Sequence, residues 1–95
     1  MNKKELVAKL AERTGLSQVK SMEVVNALFD ADSGIISNQL DRGSKVSVPG
    51  FGTFDIKVRA ARTGTNPATQ AKIRIPERKF PAFRPGKNLK ERITG

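Results

Sequence analysis

Residues 59–70 read RAARTGTNPATQ. The stretch contains no Val, Leu, Ile, Met, Phe, Tyr or Trp, although apolar alternation reaches both of its edges. Its two arginines have no acid among them, and Asn66-Pro67 near its middle is a turn dipeptide. A segment like this cannot bury a core. Upstream, TFDIKVR alternates Phe54, Ile56 and Val58 against Asp55, Lys57 and Arg59; downstream, KIRI alternates Ile73 and Ile75 against Lys72 and Arg74. Both have the period-two pattern of strands. Working outward, KVSV (Val46, Val48) reads as a first strand, PGFG as a turn and TFDIKVR as a second strand. A protruding connection follows, and KIRI reads as a third strand returning antiparallel to the second. If the hairpin continues past the core, about seven residues per side at ~3.3 Å each carry its end on the order of 20 Å from the body. A lone two-stranded ribbon is marginal in water, and this cationic one is expected to be mobile until an anionic partner holds it.

Before the strands, the period is helical. NKKELVAKLAERTG places Leu6, Val7, Leu10 and Ala11 on one face, with Asn2 as N-cap and Gly15 as the stop. The next segment opens at Ser17 and closes at Gly43, with Met22, Val25, Phe29, Ile36 and Leu40 at helix spacing. This predicts one long helix, bent near Gly34 within DADSG, because a glycine in a helix interior costs about 1 kcal/mol relative to alanine. At the other end, GKNLKERI carries Leu89 and Ile93 on one face of a short helix. Helices first and strands later predict an α+β fold: N-terminal helices, a three-stranded antiparallel sheet with a protruding β-ribbon arm, and a short C-terminal helix. The expected division is residues 1–43 as the helical part, 44–80 as the sheet with an arm over about 57–75, and 81–95 as the C-terminal helix region.

The chain has 95 residues, a single domain's worth, and 18 Lys+Arg against 9 Asp+Glu for a formal net charge of +9. Residues 1–42 hold six bases and six acids, whereas residues 43–95 hold twelve bases and three acids, so the second part carries the entire excess. That asymmetry predicts a polyanion bound by the second part, since solubility alone does not confine charge to one half. A chain this short buries little surface, which makes a partner subunit an expectation. With no cysteine there is neither a disulfide nor a thiolate metal site. No apolar run approaches the ~18 residues of a membrane span, and MNKKELVAKL lacks the apolar stretch of a signal peptide, so no membrane partner and a cytoplasmic location are expected.

Catalysis is not expected. The chain has no His, Cys or Tyr, which removes the commonest acid–base groups and nucleophiles. Its carboxylates lie among lysines on helix faces, where pairing at i,i+4 is the ordinary explanation. GFGTF at 50–54 lacks the third glycine and the strand–helix setting of a dinucleotide loop. No catalytic residue, metal or cofactor is therefore assigned. The basic stretch is more informative. Between positions 57 and 90, Lys57, Arg59, Arg62, Lys72, Arg74, Arg78, Lys79, Arg84, Lys87 and Lys90 face one acid, Glu77. Alternation predicts a double row of cations, Lys57 and Arg59 beside Lys72 and Arg74, on one face of the ribbon, a natural complement to phosphates. The five Phe sit at helix-face, turn and strand positions, where core packing explains them better than stacking on single-stranded bases. Duplex is favoured.

GFGTF, RAARTGTNPATQ and FPAFRPGKNLK together closely resemble the HU/integration host factor family of bacterial DNA-bending proteins. The likeness covers nearly the whole chain, and the run from Gly50 through Arg59, Arg62, Gly64, Asn66, Pro67 and Thr69 follows the family signature. The resemblance implies an intertwined homodimer with two ribbon arms in the minor groove of double-stranded DNA and a proline at each tip, here Pro67, wedged between base pairs; that account belongs to the family and is not read from spacing. It implies DNA contacts from Lys57, Arg59, Arg62, Thr63, Gly64, Thr65, Asn66, Pro67, Lys72, Arg74, Lys87 and Lys90, with intercalation by Pro67 and phosphate contacts from Lys87 and Lys90. It also implies DNA compaction and a place in the nucleoid. Three positions depart from the family pattern: Thr65 where a base is common, Gln70 where Gly is common, and DADSG in a helix that is usually continuous.

Two other readings stay open on the sequence. One is a sequence-preferring, integration-host-factor-like subunit working as a heterodimer, because DNA deformability contributes to specificity. The other is a basic RNA-binding protein, disfavoured because the wide, shallow A-form minor groove suits an inserted ribbon poorly.

Overall fold

A computed structural model describes residues 1–95 as two compact units, Met1–Arg42 and Gly43–Gly95. The first holds helices α1 (Lys3–Thr14), α2 (Gln18–Phe29) and α3 (Ile35–Asp41). As expected, the Asn2 side chain accepts the Glu5 N–H at 2.9 Å to open α1, and Ser17 Oγ accepts the Lys20 N–H at 3.0 Å to open α2. Such caps satisfy N–H groups that the first turn leaves free. Gly15, with φ 77°, ends α1 by donating its N–H to the Ala11 carbonyl at 2.9 Å. The two helices bury Val7 and Ala11 from α1, and Ser21 and Val25 from α2.

The expected long helix is broken, not merely bent. It stops at Phe29, Asp30 turns to ψ 132°, and α3 starts only at Ile35. Asp30 is the cause. Its carboxylate accepts the N–H groups of Asp32 (3.1 Å) and Ser33 (2.9 Å) and the Ser33 hydroxyl (2.9 Å), while the Ser37 hydroxyl donates to the Asp30 carbonyl at 3.0 Å. Side-chain bonds of this type compete with the helical ladder. The same donors, the Ser33 N–H first, hold the Asp30 carboxyl below the ordinary aspartate pKa.

In the second unit, strands β1 (Val46–Val48), β2 (Gly52–Arg59) and β5 (Arg78–Pro85) form an antiparallel sheet in the order β1-β2-β5. Strands β3 (Arg62–Thr65) and β4 (Lys72–Ile75) form a separate two-stranded ladder, and α4 (Lys87–Thr94) follows. Here the sequence-based expectation is corrected: KIRI is β4 and pairs within the arm, whereas the third strand of the sheet is Arg78–Pro85, which also carries the sheet beyond the expected boundary at residue 80. Pro81 and Pro85 disguise this strand, but they are tolerated because β5 lies at the sheet edge.

The turn into β2 is specified by Val48-Pro49-Gly50-Phe51. The Phe51 N–H reaches the Val48 carbonyl at 3.0 Å and Gly50 has φ 83°, which fits a type II turn with proline second and glycine third. Gly52 is required by proximity: a Cβ there would lie 2.5 Å from the Phe83 ring and 2.6 Å from the Arg84 carbonyl. Phe83 packs between Phe54 and Phe51, with ring centroids 4.9 and 5.7 Å away. The same turn receives α4, since the Gly86 N–H bonds the Phe51 carbonyl at 2.8 Å and the Leu89 N–H bonds the Gly50 carbonyl at 3.1 Å. The Leu89 N–H, which lies in the first turn and has no partner inside the helix, is satisfied in this way.

Little of either unit is enclosed. Val7, Ala11 and Val25 are the buried apolar side chains, while Phe29 and Ile35 are each 55 % exposed and Phe51 is 50 % exposed. No helix is long and apolar enough to cross a membrane.

Candidate nucleic-acid interface

β2 and β5 pair from Gly52↔Pro85 to Arg59↔Arg78, and β3 and β4 pair from Arg62↔Ile75 to Thr65↔Lys72. The paired residue numbers keep the same sum in both ladders, so no bulge or slip intervenes. The two ladders are one ribbon, interrupted at Ala60-Ala61 and Pro76-Glu77. Pro76 has no N–H to give to the ladder at this joint.

The tip is tightly organised. The Asn66 N–H bonds the Ala71 carbonyl at 2.9 Å and closes a loop of Pro67, Ala68, Thr69 and Gln70. The Asn66 side chain accepts the Ala68 N–H at 2.9 Å, and the Gln70 N–H returns to the Asn66 carbonyl at 2.6 Å. This is the side-chain turn that Asn characteristically forms. Pro67 is exposed at the end of it. Gln70, at φ 55°, is the one non-glycine residue with positive φ.

The register redistributes the expected cations. Lys57 and Arg59 face Phe80 and Arg78, while Lys72 and Arg74 face Thr65 and Thr63. Neither pair of cations faces the other directly, so the two expected rows are offset along the ribbon rather than side by side. Two clusters stand out. At the arm root, Arg59, Arg62 and Arg78 line a shallow hollow with Ala60, Ile75 and Pro76, and the Arg59 guanidinium lies 5.8 Å from the Phe80 ring centroid. Arg59 and Arg78 stand directly opposite one another, an unfavourable like-charge pair that an anion would relieve. Farther out, Arg62 and Arg74 line a second hollow with Ala61 and Thr63. From Thr63 to Ala71 no residue is charged. Gly64 and Asn66 are half-buried, whereas Lys57, Arg59, Arg62, Thr63, Thr65, Pro67, Lys72 and Arg74 are exposed.

Lys87 and Lys90 are exposed on α4, with Lys87 Nζ 3.9 Å from the Glu91 carboxylate. An exposed pair of this kind is easily given up. α4 is tied to the turn at the Gly52 end of β2, whereas the arm leaves from the Arg59 end. The helix lysines and the arm cations are therefore separated by the length of β2, on the order of 25 Å. Arg78 belongs to the root cluster but was not among the residues expected at the interface. Reading KIRI as the sheet strand left it outside the ribbon, and only the true register brings it opposite Arg59. No group of three or more His, Cys, Asp or Glu is gathered in a way that could hold a metal ion.

Comparison with known proteins agrees over the whole length. The family model described as "Bacterial DNA-binding protein" matches residues 1–94. The SPbeta prophage-derived DNA-binding protein HU 2 of Bacillus subtilis is 50 % identical over 93 residues, covering 98 % of this chain and 97 % of that one. DNA-binding protein HU of Geobacillus stearothermophilus is 45 % identical, covering 98 % and 99 %. Among solved structures, an Anabaena HU–DNA cocrystal structure superposes with a TM-score of 0.81 at 36 % identity, covering 98 % and 97 %. With its helices, its three-stranded sheet and its ribbon arm, the chain belongs to the bacterial DNA-binding protein family, among the HU proteins.

Proposed function

We propose that this chain is a histone-like architectural protein that binds double-stranded DNA with little sequence preference, lays its arms in the minor groove and kinks the duplex with Pro67. The carrying observation is the ribbon itself: one unslipped register, cations at its root and along β4, and an exposed proline on a closed, uncharged tip. Cations at the root attract phosphates without reading sequence. A rigid apolar ring at the end suits a wedge that partly unstacks a base step, at a few kcal/mol, in exchange for a bent duplex that touches more protein. The HU–DNA cocrystal of the Anabaena relative supports duplex DNA as the ligand.

The protein acts as a homodimer. Phe29, Ile35 and Phe51 are too exposed for a stable lone subunit, and a second copy would cover such surface. In this reading residues 1–43 serve dimerisation, the arm over about 57–75 holds DNA, and Lys87 and Lys90 take flanking phosphates. It works without a cofactor or catalytic activity, in the cytoplasm and on the nucleoid. RNA is a secondary ligand at most.

The test is the bend angle of a short duplex, read by fluorescence transfer between its ends at saturating protein. Pro67→Ala should reduce the angle and weaken the preference for nicked duplexes. The dependence of affinity on salt should stay the same, because no charge is removed. An unchanged angle would overturn the wedge.

A further inference from the structure

Gln70 occupies a backbone conformation that glycine adopts freely and a side chain resists, and it is the only non-glycine residue in the chain to do so. Outliers of this kind concentrate where a side chain has a task that outweighs the strain. Its position suggests the task. Pro67 and Gln70 lie just beyond the closing pair Asn66–Ala71 on the two sides of the ribbon, so they stand opposite each other at its extremity. Gln70 is exposed. From Thr63 to Ala71 there is no charge, so contacts made here are hydrogen bonds and packing rather than ion pairs. The Asn66 carboxamide oxygen is already taken by the Ala68 N–H at 2.9 Å.

From these observations we infer that Gln70 is a specificity-determining residue, whose carboxamide hydrogen-bonds the minor-groove edge of the base pair beside the Pro67 wedge and favours G·C there. The inference rests on the wedge reading. In the minor groove A·T pairs present only acceptors, whereas G·C adds the guanine N2 amino donor. A carboxamide is both donor and acceptor. Its oxygen can accept from guanine N2–H while its NH2 donates to a neighbouring acceptor, a match that A·T lacks. The protein then has a modest local preference on top of sequence-independent phosphate binding.

A duplex with a single nick fixes the kink, and the flanking pair is made G·C, inosine·C or A·T. Inosine lacks the N2 amino group but keeps the acceptors. The wild type should bind the G·C duplex roughly five- to tenfold more tightly than the inosine duplex, the lower range for a two-bond base contact. Gln70→Ala, which keeps a strained side chain, and Gln70→Gly, which relieves it, should both lose that preference. Both should keep the wild-type salt dependence, and on the inosine duplex Gln70→Gly should bind as tightly as the wild type. Equal binding of G·C and inosine duplexes by the wild type, or a preference surviving in both variants, overturns the assignment. A wild type that binds but does not bend the nicked duplex overturns the wedge, and the assignment with it, which separates the two failures.

Discussion

Residues 1–42 and residues 43–95 solve opposite problems with similar amounts of chain. The helical unit is electrically neutral and leaves Phe29 and Ile35 more than half exposed. The sheet-and-arm unit carries the whole +9 and spends residues 59–72 on a stretch with no core of its own. Each is incomplete in a different currency. The helices lack apolar cover, which under the proposed function comes from a second copy, and the arm lacks counter-charge, which under the same proposal comes from DNA. Incompleteness in a small chain therefore indicates what it binds: exposed phenylalanine predicts a protein partner, and unpaired arginine predicts a polyanion.

The largest effect that can break this contrast is at Phe29. Covered by a second subunit, Phe29→Ala should cost about 3 kcal/mol per subunit and lower a melting temperature that itself rises with protein concentration. A cost below about 0.5 kcal/mol, as for an ordinary surface site, would mean that the face is free. The second test addresses charge. Lys87→Ala with Lys90→Ala removes four cations per dimer, and the slope of log affinity against log salt should flatten by about 3 to 4, at about 0.9 per phosphate. Unrelated duplexes should weaken alike. A loss confined to one sequence would move these lysines from phosphate to base contact.

The smallest effect is at Asp30, inside the neutral unit. Its pKa is lowered in the folded chain, so its contribution to stability is fully present above the ordinary aspartate pKa and is lost as pH falls through the lower folded value. Asp30→Asn cannot titrate. Its unfolding free energy should fall less steeply than that of the wild type below the ordinary aspartate range, as read by denaturant titrations at several acid pH values. Identical slopes would show that the Ser33 and Asp32 donors do not hold the charged form.

Much of this was legible in the residues. Asn2 and Ser17 cap where their chemistry predicts, and RAARTGTNPATQ is an arm because it has no large apolar side chain to bury. Two features escaped for physical reasons. Asp30 ends α2 through side-chain bonds that compete with a persistent 3.6-residue pattern, and periodicity does not register such bonds. FPAF hides β5 because its two phenylalanines do not alternate and its proline is tolerable only at an edge, which is a fact of topology rather than of local sequence. Arg78 was lost with that strand and recovered with it.

The interruption at Ala60-Ala61 and Pro76-Glu77 has an evolutionary consequence. A ladder that lapses for two residues on each side passes little cooperativity across the joint, so the outer ribbon is expected to open and close as a unit of its own. Substitutions beyond the joint are then nearly silent in the melting of the sheet. Selection can retune what Thr63, Thr65 or Gln70 touches, one residue at a time, while the scaffold that displays them stays as it is.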